Sequence, residues 1–435
     1  MALTDHASDV LVSTRPHASV DQPSSPHDGT GDSEPASPAV LRVALLTGGS
    51  DKPYALGLTA ALSVEGVLLD FIGSNELDCV EVRSKRGVVF LNLRGDQRED
   101  VNAARKVIRI LTYYSRLIIF AARARPRIFH ILWNNKFELF DRTALMCYYR
   151  LLGKLVVLTA HNVNAAKRDR KDGWANRLSL RIQYCLCNHV FVHTHRMKQE
   201  LVKDFGVEQE KISVIPFGIN NTIPTSELTS KDARRLLNIQ SGNRTLLFFG
   251  KIAPYKGLEY LISALAILNR SGAGCQLIIA GSIKAGYTDY WEEIQKMITS
   301  DELREQVIER IQFIPDEEVE QYFKAADALV MPYTEIFQSG VPFLAYAFGL
   351  PVIATDVGSL RDDVIDGETG ILCRSRDPMA LARAIETYFS SNLYRELEKR
   401  REGIRRWANE RHSWALVGEI TKTAYTRLER QRIST

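Results

Sequence analysis

Lys251 and Lys256 lie in the stretch GKIAPYKG (250–257), which follows the apolar run RTLLFFG and opens the pattern GLEYLISALAIL. A strand feeding a helix leaves the first helical amides unpaired. Two cations beside them make an anion site suited to a diphosphate. The plain alternative is a pair of solvated surface lysines. In TAHNVNAAKRDR (159–170), His161 and Asn162 stand just past another apolar run. Polar side chains there reach a ligand, although a lone histidine is often structural. His193 and His195 also follow a run, HVFVHT, and are read as structural. One continues the sheet and the other caps a helix.

A third stretch, EIFQSGV (335–341), holds Glu335 and Gln338 before a helix expected to begin near Ser339. The amides of Ser339, Gly340 and Val341 would point out of that helix start. Gly340 permits close approach of a phosphate. In GGSDKPY (48–54), Gly48 and Gly49 make a turn that lets backbone approach a ligand. Neither G-x-G-x-x-G nor G-x-x-x-x-G-K-[ST] occurs, which disfavours dinucleotide oxidoreductases and P-loop NTPases.

The elements that must hold these residues alternate apolar runs with amphipathic segments. Strands are expected at LRVALLT (41–47), VLLDFIG, RIFHIL (127–132), KLVVLTA (154–160), HVFVHT (189–194) and KISVIP (211–216). A second series is RTLLFFG, CQLIIAG (275–281), IQFIP (311–315), ALVMPY (328–333) and PVIATD (351–356). Strand–helix alternation implies an α/β fold with parallel sheets covered on both faces. Ligands of such sheets bind at the carboxyl ends of the strands.

A chain of 435 residues is too long for one typical core. Residues 1–40 read as a disordered acidic tail of net charge −5, which leaves +9 on the rest. A Rossmann-like domain is expected at 41–216, a linker at 217–230 and a second Rossmann-like domain at 231–405. The segment 406–435 reads as a helix returning to the first domain. Six scattered cysteines read as buried free thiols in a reducing compartment. With no apolar run of membrane-spanning length and no cleavable signal, the protein is expected to be cytoplasmic.

One more stretch stands out. NAARKVIRILTYYSRLIIFAARARPR (102–127) carries Arg105, Lys106, Arg109, Arg116, Arg123, Arg125 and Arg127 and no acid. It reads as a basic amphipathic helix suited to an anionic membrane surface, or as a core-facing helix with a solvated basic face. Nucleic acid is not an expected partner, because no recognition motif accompanies the charge.

GKIAPYKG, His161-Asn162 and SGVPFLAYAFGLPVIATDVGS…DGETGIL together resemble the GT-B glycosyltransferases, specifically glycosyltransferase family 4. The resemblance covers nearly everything from residue 41 onward. It implies two Rossmann-like domains facing each other across a cleft, and retaining transfer from a nucleotide-sugar donor. No metal or other cofactor is implied, and the branches it resembles build exopolysaccharide or other surface glycans. A glycan or lipid-linked acceptor follows from it. Lys251 and Lys256 match the family's Arg/Lys pair on the diphosphate, His161 its sugar-proximal histidine, and Gly49 its first-strand glycine loop.

Two departures are visible. Lys251 replaces an arginine and gives a point charge without a bidentate fork. The family's Glu-x7-Glu falls on Ile336 and Leu344, with QSG for the usual GFG. Neither glutamate contact, to donor sugar or to ribose, carries over. Leu344 is left to pack in the core or line the ribose, and Glu335 lies one residue off register. Two rival readings remain: a GT-B nucleotide-sugar 2-epimerase, which needs acid/base carboxylates in the cleft, and a catalytically silent nucleotide- or glycan-binding protein.

Overall fold

The computed structural model describes residues 40–48, 52–97, 102–135, 137–168, 172–219, 223–240 and 242–433. Residues 1–39 of the expected tail 1–40 lie outside it.

The first sheet has seven parallel strands in the order β3-β2-β1-β4-β5-β6-β7. They are β1 (Arg42–Leu46), β2 (Leu68–Gly73), β3 (Val88–Asn92), β4 (Ile128–Ile131), β5 (Leu155–Thr159), β6 (His189–Val192) and β7 (Ile212–Val214). The second has six, in the order β10-β9-β8-β11-β12-β13. These are β8 (Thr245–Phe249), β9 (Gln276–Ala280), β10 (Val307–Arg310), β11 (Ala328–Met331), β12 (Val352–Thr355) and β13 (Gly370–Cys373). The central strands are buried along almost their whole length, as a sheet covered on both faces requires.

The edges depart from expectation. β3 and β10 are edge strands of half-buried and exposed residues; β10 ends in Glu309 and Arg310, and β3, although Val88–Leu91 is apolar, is not among the expected strands. The strand expected at 311–315 is instead Val307–Arg310, and Ile311–Pro315 belongs to the loop after it. Chain also crosses between the sheets twice. Phe217 and Ile219 lie on the outward crossing, and His412 and Trp414 on the return.

The crossings are laced together. Ile219 N–H donates to His412 O at 2.9 Å, and His412 Nδ1 lies 3.2 Å from Phe217 O. Trp414 Nε1 donates to Ile219 O at 2.9 Å. Its indole fills a slot between Gly57 and Gly218, where a Cβ on either would come within 2.1 or 2.4 Å of the ring. Beyond it the helix Trp414–Ile433 lies on the helix Lys52–Val64 of the first sheet. Val417, Ala424, Tyr425 and Leu428 join the core cluster of Tyr54, Leu58 and Leu62. Tyr425 Oη meets His130 Nδ1 at 2.5 Å, and His130 Nε2 meets Thr159 Oγ1 at 2.7 Å.

The basic helix is Ala103–Arg123, capped by Asn102, whose side chain accepts from Arg105 N–H at 2.9 Å. Tyr113, Tyr114, Leu117 and Ala121 bury one face. Val107, Ile108, Leu111 and Ile119 remain more than half exposed. Phe137 and Phe140 are also exposed and make ring contacts with buried Tyr114. Among the described residues, no helix is long and apolar enough to cross a membrane. All six cysteines are free, but Cys147 and Cys185 are exposed, so the thiols are not uniformly buried as expected.

Candidate functional site

The strand-end loops of the two sheets meet at Phe217. Its ring stacks on Phe343 of the second sheet's side at 5.5 Å and packs against Tyr54, His161 and His193 of the first. A Cβ on Gly340 would stand 3.3 Å from the same ring. Phe337 packs against the first sheet's core. His161 and the loop 335–341 thus border one cleft.

On the first sheet's side, His161 lies flat on Trp133, with ring centroids 4.4 Å apart and planes within 3°. Tyr54 presses edge-on at 4.7 Å. His161 Nδ1 is 3.0 Å from His193 Nε2. His161 Nε2 and Asn162 Oδ1 are both buried with no hydrogen-bond partner. They border a pocket of about 200 Å³ that also takes in Trp133, Asn134 and Glu138. Burial holds the His161 pKa well below the usual imidazole value, with His193 and His130 adding to the effect. Gly48 has φ +60°, and a Cβ there would lie 2.2 Å from Trp133 O. The neighbouring Trp133 backbone by itself requires a glycine there. Gly49 lies outside the described residues.

On the second sheet's side, Lys256 ends the short 3₁₀ turn Pro254–Lys256 and is buried, whereas Lys251 is exposed. The Lys256 ammonium donates to Phe249 O at 3.2 Å. It sits 5.5 Å from the Tyr333 ring centroid and 2.8 Å from where a Cβ on Gly250 would be. Burial, helped by the charge of Lys251, brings its pKa down to about 7. The next turn depends on Gly257, at φ +66°, whose absent Cβ would meet Pro332 O at 2.1 Å. The helix Leu258–Arg270 follows.

The loop 335–341 departs from expectation. Its helix is Val341–Ala347 and starts two residues later than Ser339. The Val341 amide is engaged by Ser339 Oγ at 3.3 Å, and Pro342 has no N–H to offer. Of the three outward amides expected, that of Val341 is thus turned onto Ser339. Leu344 and Ile336 are buried in the second core, so the two positions of the missing acids have become packing positions. Glu335 is exposed.

A carboxyl nearby was not anticipated. Asp363, on the short helix Leu360–Asp363, is buried and accepts from Gln338 Nε2 at 3.3 Å, while Gln338 Oε1 is buried without a partner. Burial pushes the Asp363 pKa up to about 7, against the opposing pull of Ser359 and Gln338. Among the described residues, no group of three or more His, Cys, Asp or Glu could hold a metal ion.

Two parallel Rossmann-like sheets with their strand-end loops facing across a cleft define the GT-B class. A model described as glycosyl transferases group 1 matches residues 229–407, and one described as glycosyltransferase family 4 matches 76–222. The chain belongs to this glycosyltransferase family, of the group 1 and family 4 type. It is 27% identical over 286 residues to a D-inositol 3-phosphate glycosyltransferase of Corynebacterium diphtheriae, covering 62% of this chain and 64% of that one. The first such relatives are thus matched over less than two thirds of their own length. In fold, the chain resembles a sucrose-phosphate synthase from Thermosynechococcus elongatus with a TM-score of 0.70 at 19% identity. That match covers 90% of this chain and 100% of that one. It also resembles HepE of Anabaena, solved with UDP-glucose, with a TM-score of 0.65 at 17% identity, covering 90% and 99%.

Proposed function

We propose that the protein is a retaining glycosyltransferase that moves a sugar from a nucleotide-sugar donor to a glycan or lipid-linked acceptor in surface polysaccharide synthesis. The observation that supports this most is the pairing of unlike sites across the cleft. His161 Nε2 and Asn162 Oδ1 are two buried acceptors that need hydroxyl donors. Lys256 is a buried cation that needs an anion. A sugar joined to a diphosphate supplies both.

In this reading Lys256, with Lys251 at the mouth, holds the diphosphate and stabilises the charge that grows on it as the glycosidic bond breaks. His161 and Asn162 hold the sugar, and Gln338, Ser339, Gly340 and Val341 line the donor side. No metal or other cofactor takes part. The test is a thermal-shift and turnover screen against UDP, GDP, ADP and their glucose conjugates. Ligand at 100 times its dissociation constant stabilises by about 2.7 kcal/mol. A shift with one nucleotide sugar, and transfer or slow hydrolysis of it, supports the reading; no binding to any of them defeats it.

The loss of both acids to the core at Ile336 and Leu344 favours a second reading, a silent nucleotide- or glycan-binding protein. Binding without transfer or hydrolysis is its signature. The outer apolar and basic surface of the helix Ala103–Arg123 suits attachment to the cytoplasmic face of a membrane. Anionic vesicles should retain the protein and salt should release it. Equal binding to neutral and anionic vesicles, or none to either, counts against that role.

A further inference from the structure

The contact between the two strand-end imidazoles has a direction. His193 Nδ1 lies 3.3 Å from Ile215 O, a carbonyl that can only accept, so that nitrogen carries the proton. In a neutral ring Nε2 is then bare, and it faces His161 Nδ1 at 3.0 Å. His161 Nδ1 must therefore donate, which leaves His161 Nε2 without a proton in its buried position. Both rings are neutral, because burial pushes His193 down to about 4 and His161 well below its usual value. The His161 ring has little freedom to turn between the flat face of Trp133 and the edge of Tyr54. Only the placement of its proton is open, and His193 decides it.

We propose that His193 is a positioning residue for sugar binding: by drawing the His161 proton to Nδ1, it keeps Nε2 as a bare acceptor for a substrate hydroxyl. The chemistry of the group received follows. Nε2 of His161 and Oδ1 of Asn162 present lone pairs from neighbouring residues, so an O–H that donates is welcomed and a carboxylate or phosphate oxygen is repelled. The functional half of the proposal rests on the glycosyltransferase reading; the proton placement does not.

The test begins with long-range proton–nitrogen spectra of histidine-labelled protein without ligand. Both His161 and His193 are expected in the Nδ1–H form. His193→Leu removes the acceptor, so His161 should gain an Nε2–H population. Its kcat/KM, for whichever of UDP-, GDP- or ADP-glucose the wild type uses, should fall on the order of tenfold, with nucleoside-diphosphate affinity kept. His193→Gln can donate to Ile215 O and accept from His161 Nδ1, so it should recover the Nδ1–H signature and most of the lost kcat/KM. A wild-type His161 protonated at Nε2 overturns the proposal, as do Leu and Gln variants that match in both measurements. If the Leu variant does not fold, the wild-type and Gln spectra still decide. Failure of the function itself looks different: the wild type then uses no nucleotide sugar while the spectra are as expected.

Discussion

The strand ends of the first sheet bring two buried acceptors without hydrogen-bond partners, His161 Nε2 and Asn162 Oδ1, and those of the second bring the buried ammonium of Lys256. Around His161 the rings are neutral because burial makes charging them costly, and the unmet groups are lone pairs. Around Lys256 the same burial acts on an ammonium and brings it close to neutrality, to about 7. One physical cause thus prepares two kinds of site. The first keeps its neutral state across ordinary pH. The second stands near its titration point, so the diphosphate of the proposed function would draw it into the charged state.

The largest expected effect tests the second site. Lys256→Ala should cost roughly 10²-fold in turnover at saturating donor, the size typical of losing one preorganised donor to developing negative charge. Near-normal turnover would dissolve the contrast between the sites. His161→Ala should lower transfer by about tenfold or more while nucleoside-diphosphate affinity stays within about threefold. Full specific activity with only a lowered melting temperature would make His161 a packing residue.

The two sites also differ in how they respond to pH. Binding a diphosphate should raise the Lys256 pKa from about 7, so at pH 8 the complex takes up protons. Calorimetry in buffers of different ionisation enthalpy reads this as a buffer-dependent heat, and a buffer-independent heat breaks the assignment. The histidines act on stability instead. His130 is pushed to about 3, and His189, His193 and His412 to about 4, all by burial. Their folded pKa values lie below the unfolded value of 6.5, so the unfolded chain binds more protons below that pH. Stability should then fall as pH drops through 6.5 towards 4, by up to about 1.4 kcal/mol per pH unit for each ring. A melting temperature constant from pH 7 to 5 would show these rings to be charged or exposed.

The smallest effect separates Gly340 from Glu335. Gly340→Val meets Phe217 at the junction of the loops and should cost about tenfold in transfer. Exposed Glu335→Gln should change activity less than about twofold. The reverse ranking would move the important carboxylate back to Glu335.

Central strands were legible because burial on both faces writes itself as unbroken apolar runs. β10 was not, since an edge strand with one neighbour need not be apolar, whereas β3 carries the apolar run Val88–Leu91 and was legible but not among the expected strands. Lys256 could be located from its place after β8, yet the distinction between it and exposed Lys251 needed the packing of the turn. His193 was set aside, although a signal existed. β5 and β6 pair in parallel with Thr159 beside Phe191, and counting two residues onward in each strand sets His161 beside His193. The missing step was strand adjacency, which sequence periodicity does not state. Asp363 gave no signal, because a buried acid in a run of acids reads as surface.

The helix Trp414–Ile433 closes the core that the first strands begin, with Tyr425 reaching His130 across 295 positions of chain. Domains emerging from a ribosome generally fold in the order they are made. Here the first sheet waits for the last helix: until it arrives, Tyr54, Leu58 and the Gly57 slot stay open to water. During synthesis the second sheet can therefore finish before the first, and a ribosome stalled just before Trp414 holds a chain whose second sheet is fully made while the first still lacks its covering helix.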